Sequence, residues 1–555
     1  MVGPSSNSRT LNEDNLEESR WNAVLGPFPD GLTLRGRCRI TATTDGARTG
    51  GKAKMRNLIE AHNRVKDFDW EPSYVAKPNW YPTKYKIPAK TKDPFRHLVR
   101  DYLSMEEEKD NRQYGSMEDA LARGNVSAKA EPRWMEIMKA VLPILNFGEY
   151  AAMKSTGQLI ETIENAELRQ GYLAQMLDEV RHTNQEAYLM RYFTKHAADP
   201  EGFAQGLKAR GTNLFNRAGR AAFEAFFVGD PIEGALNLQV VAETAYTNPI
   251  FVALTELSAA NGDQVTPSVF LSIQSDESRH MANGYSTLAA VVSNPDNLPM
   301  LQTDFDRAFW RQHAFIDPFL GAVWDYFQAN RTSSYLEKWR EWIDVDWVGS
   351  YIERLAPFGL KVPRDYAEAS ERVQWLGHTA AMVAFGAWPL NFWRFDPLTA
   401  KDMEWFERKY PGWHGVYGQF WEEYRRRCDP RNGELSLSLF ASLPPLCRVC
   451  QMPCVFPRPD ITTCRIKEYR GKRHAFCTSA CERIFDQEPH RYLGYSTFYE
   501  LFDGYDLADY IVENGLLRAD GKTLIAQPWL DMERMWTIDD IRAARYEIRD
   551  PLRND

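Results

Sequence analysis

From about residue 132 the chain places apolar residues at three- and four-residue intervals over four long segments, 132–163, 168–197, 221–260 and 266–292. That is the period of helices with a buried face. The last segment opens "TPSVF", where Thr266 can cap and Pro267 suits the first turn, which has no use for its missing N–H. Within the third, "VGDP" at 228–231 predicts a new helix start or a kink. Four such helices in succession predict a bundle with sites built from inward-facing side chains. Residues 300–425 keep the helical period and hold eleven of the seventeen tryptophans, read as aromatic packing of a core. The apolar run "AAMVAFGAWPLNFW" at 380–393 predicts a buried helix, being too short to span a bilayer.

On either side of this helical region the pattern changes. Residues 1–50 are polar and aperiodic, an N-terminal arm suited to wrapping a neighbouring subunit. Residues 51–130 mix loops ("PNWYPTKYKIP") with a charged helical stretch at 104–124, a lead-in expected to contact partner subunits. The expected divisions continue as a bundle over 131–300, Trp-rich helices completing the core over 301–430, and a mixed region with a cysteine cluster over 431–555. In that last region "RADGKTLIAQPWL" at 518–530 predicts a hairpin or loop.

Two of the bundle helices carry nearly the same pentad, "DEVRH" at Asp178–His182 and "DESRH" at Asp276–His280. Of ten histidines, only His182 and His280 have a glutamate three residues earlier, on the same helical face. The other two helices each place one carboxylate in an apolar run, Glu149 in "PILNFGEYAAM" and Glu243 in "NLQVVAETAYTNP". A charged glutamate buried there costs several kcal/mol unless it is paired or binds a metal. The order Glu149, Glu179–His182, Glu243, Glu277–His280 is two half-sites, each with two carboxylates and one imidazole. Such oxygen-rich sites with imidazole suit non-haem iron that handles O₂. Asp178 and Asp276, one turn before the histidines, can accept the second ring N–H, and Arg181 and Arg279 can offset the carboxylate excess. The competing reading is a buried ion-pair network between helices.

Composition narrows the class. The net charge of −9 gives no electrostatic footprint for nucleic acid. The first forty residues lack the apolar stretch of a secretory signal, and eight cysteines in 555 residues do not make a disulfide scaffold. The expected setting is cytoplasmic, without a membrane.

The stretches "GEY", "GYLAQMLDEVRHT", "NLQVVAETAYTNP", "AANGDQVTPSVFLSIQSDESRHMANGY", "MEWFERKYPGW" and "DGKTLIAQP" resemble the large (α) hydroxylase subunit of the bacterial multicomponent di-iron monooxygenases, nearest to soluble methane monooxygenase and its propane and butane relatives. The resemblance runs from about 80 to 430 and resumes at 500–550. It implies a mainly α fold: a ferritin-like four-helix bundle core, additional helices and a small mixed α/β C-terminal region. It also implies that Glu149, Glu179, His182, Glu243, Glu277 and His280 ligate two irons, and that Thr247 assists O₂ chemistry with Asn248 beside it. Leu145 corresponds to a cavity-gating leucine and Phe226 to a cavity-lining phenylalanine. The implied activity inserts one atom of O₂ into a short-chain alkane such as propane, with an alkene or arene as the alternative substrate. The implied partners are a β subunit, in some members a γ subunit, a regulatory protein, and a reductase carrying FAD and a [2Fe–2S] cluster and using NADH. The assembly would be a dimer of αβ or αβγ units.

Two departures matter. Glu186 stands four residues after His182, where methane monooxygenase has cysteine, which would polarise the substrate pocket and favour the toluene-type members. An insertion also carries Cys447, Cys450, Cys454, Cys464, Cys477 and Cys481, and the C-x₂-C and C-x₃-C spacings choose Cys447, Cys450, Cys477 and Cys481 for one structural zinc. Rival classes are a ferritin-like ferroxidase, which needs only the bundle, and a radical-generating subunit, for which Tyr150 and Tyr246 are the tyrosines near the ligands in sequence. A non-enzymatic scaffold is the third.

Overall fold

The computed structural model describes residues 83–87, 130–197, 199–208, 214–386, 398–427, 444–454, 464–525 and 536–553. The N-terminal arm and the 104–124 helix expected from the sequence lie outside these residues.

The first two predicted helices form as read. Helix α1 (Pro132–Thr162) starts on Glu131, whose side chain accepts the Trp134 N–H, with proline in its first turn. Helix α2 (Ala166–His196) starts on Asn165, whose carbonyl oxygen takes the N–H groups of Glu167 and Leu168. The two pack along most of their length.

The third segment is not one helix. Helix α3 (Leu214–Phe223) runs into a 3₁₀ turn at Glu224–Phe226, and a new helical start follows at Pro231, capped by Asp230. "VGDP" therefore begins a helix rather than kinking one. From Leu236 to Thr247 the backbone is a π-helix, ending where the Asn248 N–H bonds the Glu243 carbonyl five residues back. It continues as α4 (Asn248–Ala260). Residues 236–243 are all buried, so no polar face marks the period, and the sequence pattern cannot distinguish a π-helix from an α-helix.

Helix α5 (Thr266–Val292) begins where predicted, with a different cap. Asp263 accepts the N–H groups of Val265 and Thr266 and also the Thr266 hydroxyl, so Thr266 donates instead of capping. Helix α5 packs on α2, α4 and the π-helix, which closes the bundle around the pentads.

Helices α6 (Leu298–Tyr326) and α7 (Tyr366–Gly386) back this bundle. They approach so closely at Gly321 and Gly377 that a Cβ on Gly377 would lie 2.8 Å from the Gly321 carbonyl carbon. Backbone cannot yield there, so both positions need glycine. The buried tryptophans 310, 324, 339, 347, 413 and 421 pack this layer, as the aromatic reading expects.

A buried charge cluster ties distant segments together. Burial alone would raise the Glu233 carboxyl, but Arg307 at 3.1 Å and Arg491 at 2.6 Å hold it well below the usual range. Asp304 joins the same cluster and binds Lys84 at 2.6 Å, anchoring the 83–87 segment.

The C-terminal region contains an antiparallel hairpin, β1 (Arg465–Tyr469) with β2 (Lys472–Phe476), followed by helix α8 (Ser479–Gln487). Arg518 and Thr523 close the predicted later hairpin, whose Arg518 N–H bonds the Thr523 carbonyl at 2.8 Å. No helix among the described residues is long and apolar enough to cross a membrane.

Candidate metal centre

The four bundle elements bring all six predicted ligand side chains to one buried point. Nδ1 of His182 lies 3.3 Å from Glu149 Oε2 and 3.5 Å from Glu179 Oε2. Nδ1 of His280 lies 3.4 Å from Glu179 Oε1, 3.6 Å from Glu243 Oε1 and 3.6 Å from Glu277 Oε2. Ligand atoms of Glu149, Glu179 and His182, and separately of Glu179, Glu243 and His280, lie within 4.8 Å of one another. Glu179 is common to both groups, so the two groups meet at one carboxylate.

The other ring nitrogens correct a detail of the sequence reading. His182 Nε2 meets Asp276 Oδ2 at 2.9 Å, and His280 Nε2 meets Asp178 Oδ2 at 3.4 Å. Each pentad thus supplies the aspartate for the other pentad's histidine. Each aspartate favours the tautomer protonated on Nε2, which turns the Nδ1 lone pair toward the carboxylates. Arg181 binds both aspartates, reaching Asp276 at 2.8 Å, and Arg279 reaches Asp276 Oδ1 at 2.5 Å and Asp178 at 3.4 Å. The two guanidinium groups therefore offset the two aspartates and not the four glutamates.

That distribution favours a metal centre over an ion-pair network. The arginine–aspartate set is neutral in itself, and among the described residues the four glutamates face two imidazoles, at most two cations for four carboxyls. Burial, with repulsion from Glu277, lifts the Glu149 carboxyl to about 8, and burial lifts Glu179 to about 7. Burial pushes Glu243 well above the carboxylate range as well. Glu243 Oε2 and Glu277 Oε2 are buried without a hydrogen-bond donor. The donor set and its uncompensated charge fit two divalent cations.

Above the carboxylates lies a cavity whose other walls are apolar: Leu145, Phe223, Phe226, Leu238, Ile250 and Phe251, with Thr247 contributing the hydroxyl. A second apolar cavity, running toward Phe319 and Val323, shares Leu145, Phe223, Ile250 and Ile316 with the first. Leu145 and Phe226 both line the first cavity. Asn248 lies beside Thr247, and its Oδ1 accepts from Gln274 at 2.9 Å. Glu186 is fully buried but is not among the residues lining the first cavity. Burial, and then its charged neighbour Glu149, raise its carboxyl. The hydroxyl of Tyr246 is buried on the side of Asp317 and Tyr366, and Tyr150 packs against Phe147.

Sequence reading missed Gln175, whose amide donates to Glu179 and Glu243 at 3.0 Å each. The local pattern shows only a polar residue one turn before Glu179 on the same face, with nothing to indicate what it meets.

A second cluster lies in the C-terminal region. Sulfurs of Cys447, Cys450, Cys477 and Cys481 lie within 4.8 Å of one another, all four residues buried. Cys447 and Cys450 flank a tight turn in which the Gln451 N–H bonds the Cys447 carbonyl and Gln451 takes a left-handed φ of 60°. Cys477 and Cys481 sit at the start of α8, where Thr478 caps the Cys481 N–H. The indole N–H of Trp310 in α6 donates to Cys481 Sγ at 3.3 Å.

Residues 70–295, which contain the whole glutamate–histidine site, match the methane/phenol/alkene hydroxylase family. The α chain of methane monooxygenase component A from Methylococcus capsulatus is 39% identical, covering 92% of this chain and 98% of its own. This chain belongs to the methane/phenol/alkene hydroxylase family. The large subunit of the propane 2-monooxygenase hydroxylase component from Rhodococcus jostii is 37% identical over 90% of this chain and 96% of its own. The solved phenol hydroxylase of Pseudomonas sp. OX1 shares the fold, with a TM-score of 0.66 at 24% identity, covering 78% of this chain and 88% of that one. Family membership gives an oxygenase, and the fold match agrees with the mainly helical bundle read from the sequence.

Proposed function

We propose that this chain is the catalytic subunit of a multicomponent di-iron monooxygenase acting on a short-chain alkane of about the size of propane. The observation that carries the reading is the pair of ligand groups sharing Glu179, each with a histidine oriented by the other pentad's aspartate. Glu149, Glu179 and His182 would hold one iron, and Glu243, Glu277 and His280 the other, with Glu179 reaching both. When bound, the iron pair supplies the redox chemistry that splits O₂ between product and water. The protein's part is to exclude water with the apolar wall, to hold the hydrocarbon over the carboxylates, and to offer the Thr247 hydroxyl as a proton carrier inside the cavity. Asn248, held by Gln274, sits where the π-helix passes into α4, placed to report a docked partner to Thr247.

The substrate assignment rests on that wall. Among the described residues that line it, Thr247 is the one polar side chain apart from the glutamates, and Glu186, which suggested an arene, is not one of them. Product analysis of the reconstituted system on propane, propene, benzene and toluene tests it. Propane is expected to show a kcat/KM at least about tenfold above toluene, the effect of roughly 1.4 kcal/mol in transition-state binding. Predominant ring hydroxylation would overturn the alkane assignment.

The sequence offers no dinucleotide-binding glycine motif, so electrons would come from a separate component, and the family resemblance implies a reductase using NADH through FAD and a [2Fe–2S] cluster. A β subunit, in an αβ or αβγ dimer, has a surface to cover: Leu173, Leu177, Val180 and Tyr188 are exposed on one face of α2.

The four buried thiols would hold a structural zinc, with a turn supplying one pair and the start of α8 the other. Elemental analysis is expected to find about one zinc per chain. Cys450→Ser should abolish it and lower the unfolding midpoint of this region, while iron stays bound. Full zinc retention in that variant would refute the site.

A further inference from the structure

We propose that Gln175 is a positioning residue for the iron pair, fixing which oxygens of Glu179 and Glu243 face the metals. This rests on the reading of the six ligands given above. The Gln175 amide nitrogen donates to Glu179 Oε1 and Glu243 Oε1, both at 3.0 Å, which uses both of its hydrogens. Its orientation is set from behind. Asn283 Nδ2 on α5 donates to Gln175 Oε1 at 3.2 Å, and Gln239 Nε2 on the π-helix donates to the same oxygen at 3.3 Å. With two amide donors on its oxygen, the Gln175 side chain has its nitrogen turned to the carboxylates.

Asn283 is held in turn by the Gly171 carbonyl at 3.1 Å. A Cβ on Gly171 would lie 2.5 Å from Asn283 Oδ1, so glycine admits this contact. Three elements of the bundle thus converge on one amide, and Gln175 and Gln239 are fully buried.

The consequence falls on Glu243. One of its oxygens is occupied by Gln175, and the other, Oε2, has no protein donor. Oε1 of Glu243, like Oε1 of Glu179, is also the oxygen facing His280 Nδ1, at 3.6 and 3.4 Å. Gln175 therefore holds side by side the two oxygens nearest that histidine, and reorienting either carboxylate would require release of its Gln175 bond. The same amide couples the π-helix, through Glu243, to Glu179, the carboxylate common to both metal positions. Displacement of the π-helix would be felt at that carboxylate through one hydrogen-bonded side chain.

The test uses the intact complex carrying Gln175→Met, which keeps length and removes both donors, and separately Asn283→Ala, which removes an orienting donor and leaves Gln175 in place. The readouts are competition for ferrous iron with a chelator, the Mössbauer spectrum of the reduced complex, and thermal unfolding of the metal-free complex. Gln175→Met is expected to weaken iron binding about tenfold or more, as loss of a partner of a ligand does, and to change the spectrum. Asn283→Ala is expected to move both in the same direction by less. A wild-type complex without a coupled iron pair would defeat the reading of the centre itself. A wild-type complex with the pair, and variants matching it in affinity and spectrum, would overturn this assignment alone. So would variants whose loss of iron is matched by destabilised metal-free protein with an unchanged spectrum, which is the mark of a merely structural residue. Should Gln175→Met not fold, unchanged affinity and spectrum in Asn283→Ala overturn it.

Discussion

Glu179→Ala is expected to reduce bound iron from about two atoms per chain to well under one and to abolish hydroxylation. Glu179 is the only carboxylate placed in both ligand groups, with one oxygen toward each histidine. Its loss should exceed the roughly 10–100-fold penalty of removing a ligand's outer partner. The same change should act oppositely on the metal-free protein. There Glu179 is one of four buried glutamates facing only two imidazoles, and burial raises its proton affinity to a value of about 7. Removing it takes away an ionisable group that the fold disfavours when charged, so the metal-free variant should resist urea better than metal-free wild type near pH 8. Iron analysis and paired urea titrations of loaded and metal-free protein check both signs. A variant that keeps its iron, or is destabilised equally in both forms, would show that Glu179 serves packing instead.

The pH dependence of the metal-free complex should run against that of a protein held by surface salt bridges. Burial, then Glu277, lifts the Glu149 carboxyl to about 8, and burial lifts Glu179 to about 7, against 4.5 for an ordinary glutamate. The folded state therefore keeps protons that the unfolded chain has lost, and stability falls as pH rises. The contribution is fully present below about pH 4.5 and is lost as pH passes about 7 for Glu179 and about 8 for Glu149. Each retained proton contributes a slope of about 1.4 kcal/mol per pH unit. A loss on the order of 6 kcal/mol between pH 5 and pH 8 is expected for the metal-free complex. Iron binding should strengthen over the same range, because metals displace those protons. Denaturant unfolding and iron titrations at pH 5, 6.5 and 8 measure the two trends. Metal-free stability that climbs toward pH 8 would mean the carboxyls are already compensated by other groups.

The sequence by itself determined the six candidate ligands and that helical segments carry them. Glu-x-x-His places two donors on one helical face whatever the neighbours do, and Glu149 and Glu243 stood out because charge in an apolar run has a high desolvation cost. The pattern also identified the cysteine pairs and the aromatic layer, since spacing and burial are local consequences of residue type. Tertiary structure alone decided how those parts pair. Exchange of Asp178 and Asp276 between the pentads depends on how α2 lies against α5, and it set Arg181 and Arg279 on the aspartates instead of the glutamates. The π-helix was hidden because 236–243 is buried on every side, leaving no polar face to carry a period. Gln175 was hidden for a related reason: an amide gains its role only when Glu243, Gln239 and Asn283, 64 or more residues away, close on it. Periodicity records what each helix buries, whereas contacts between helices record where the buried groups meet.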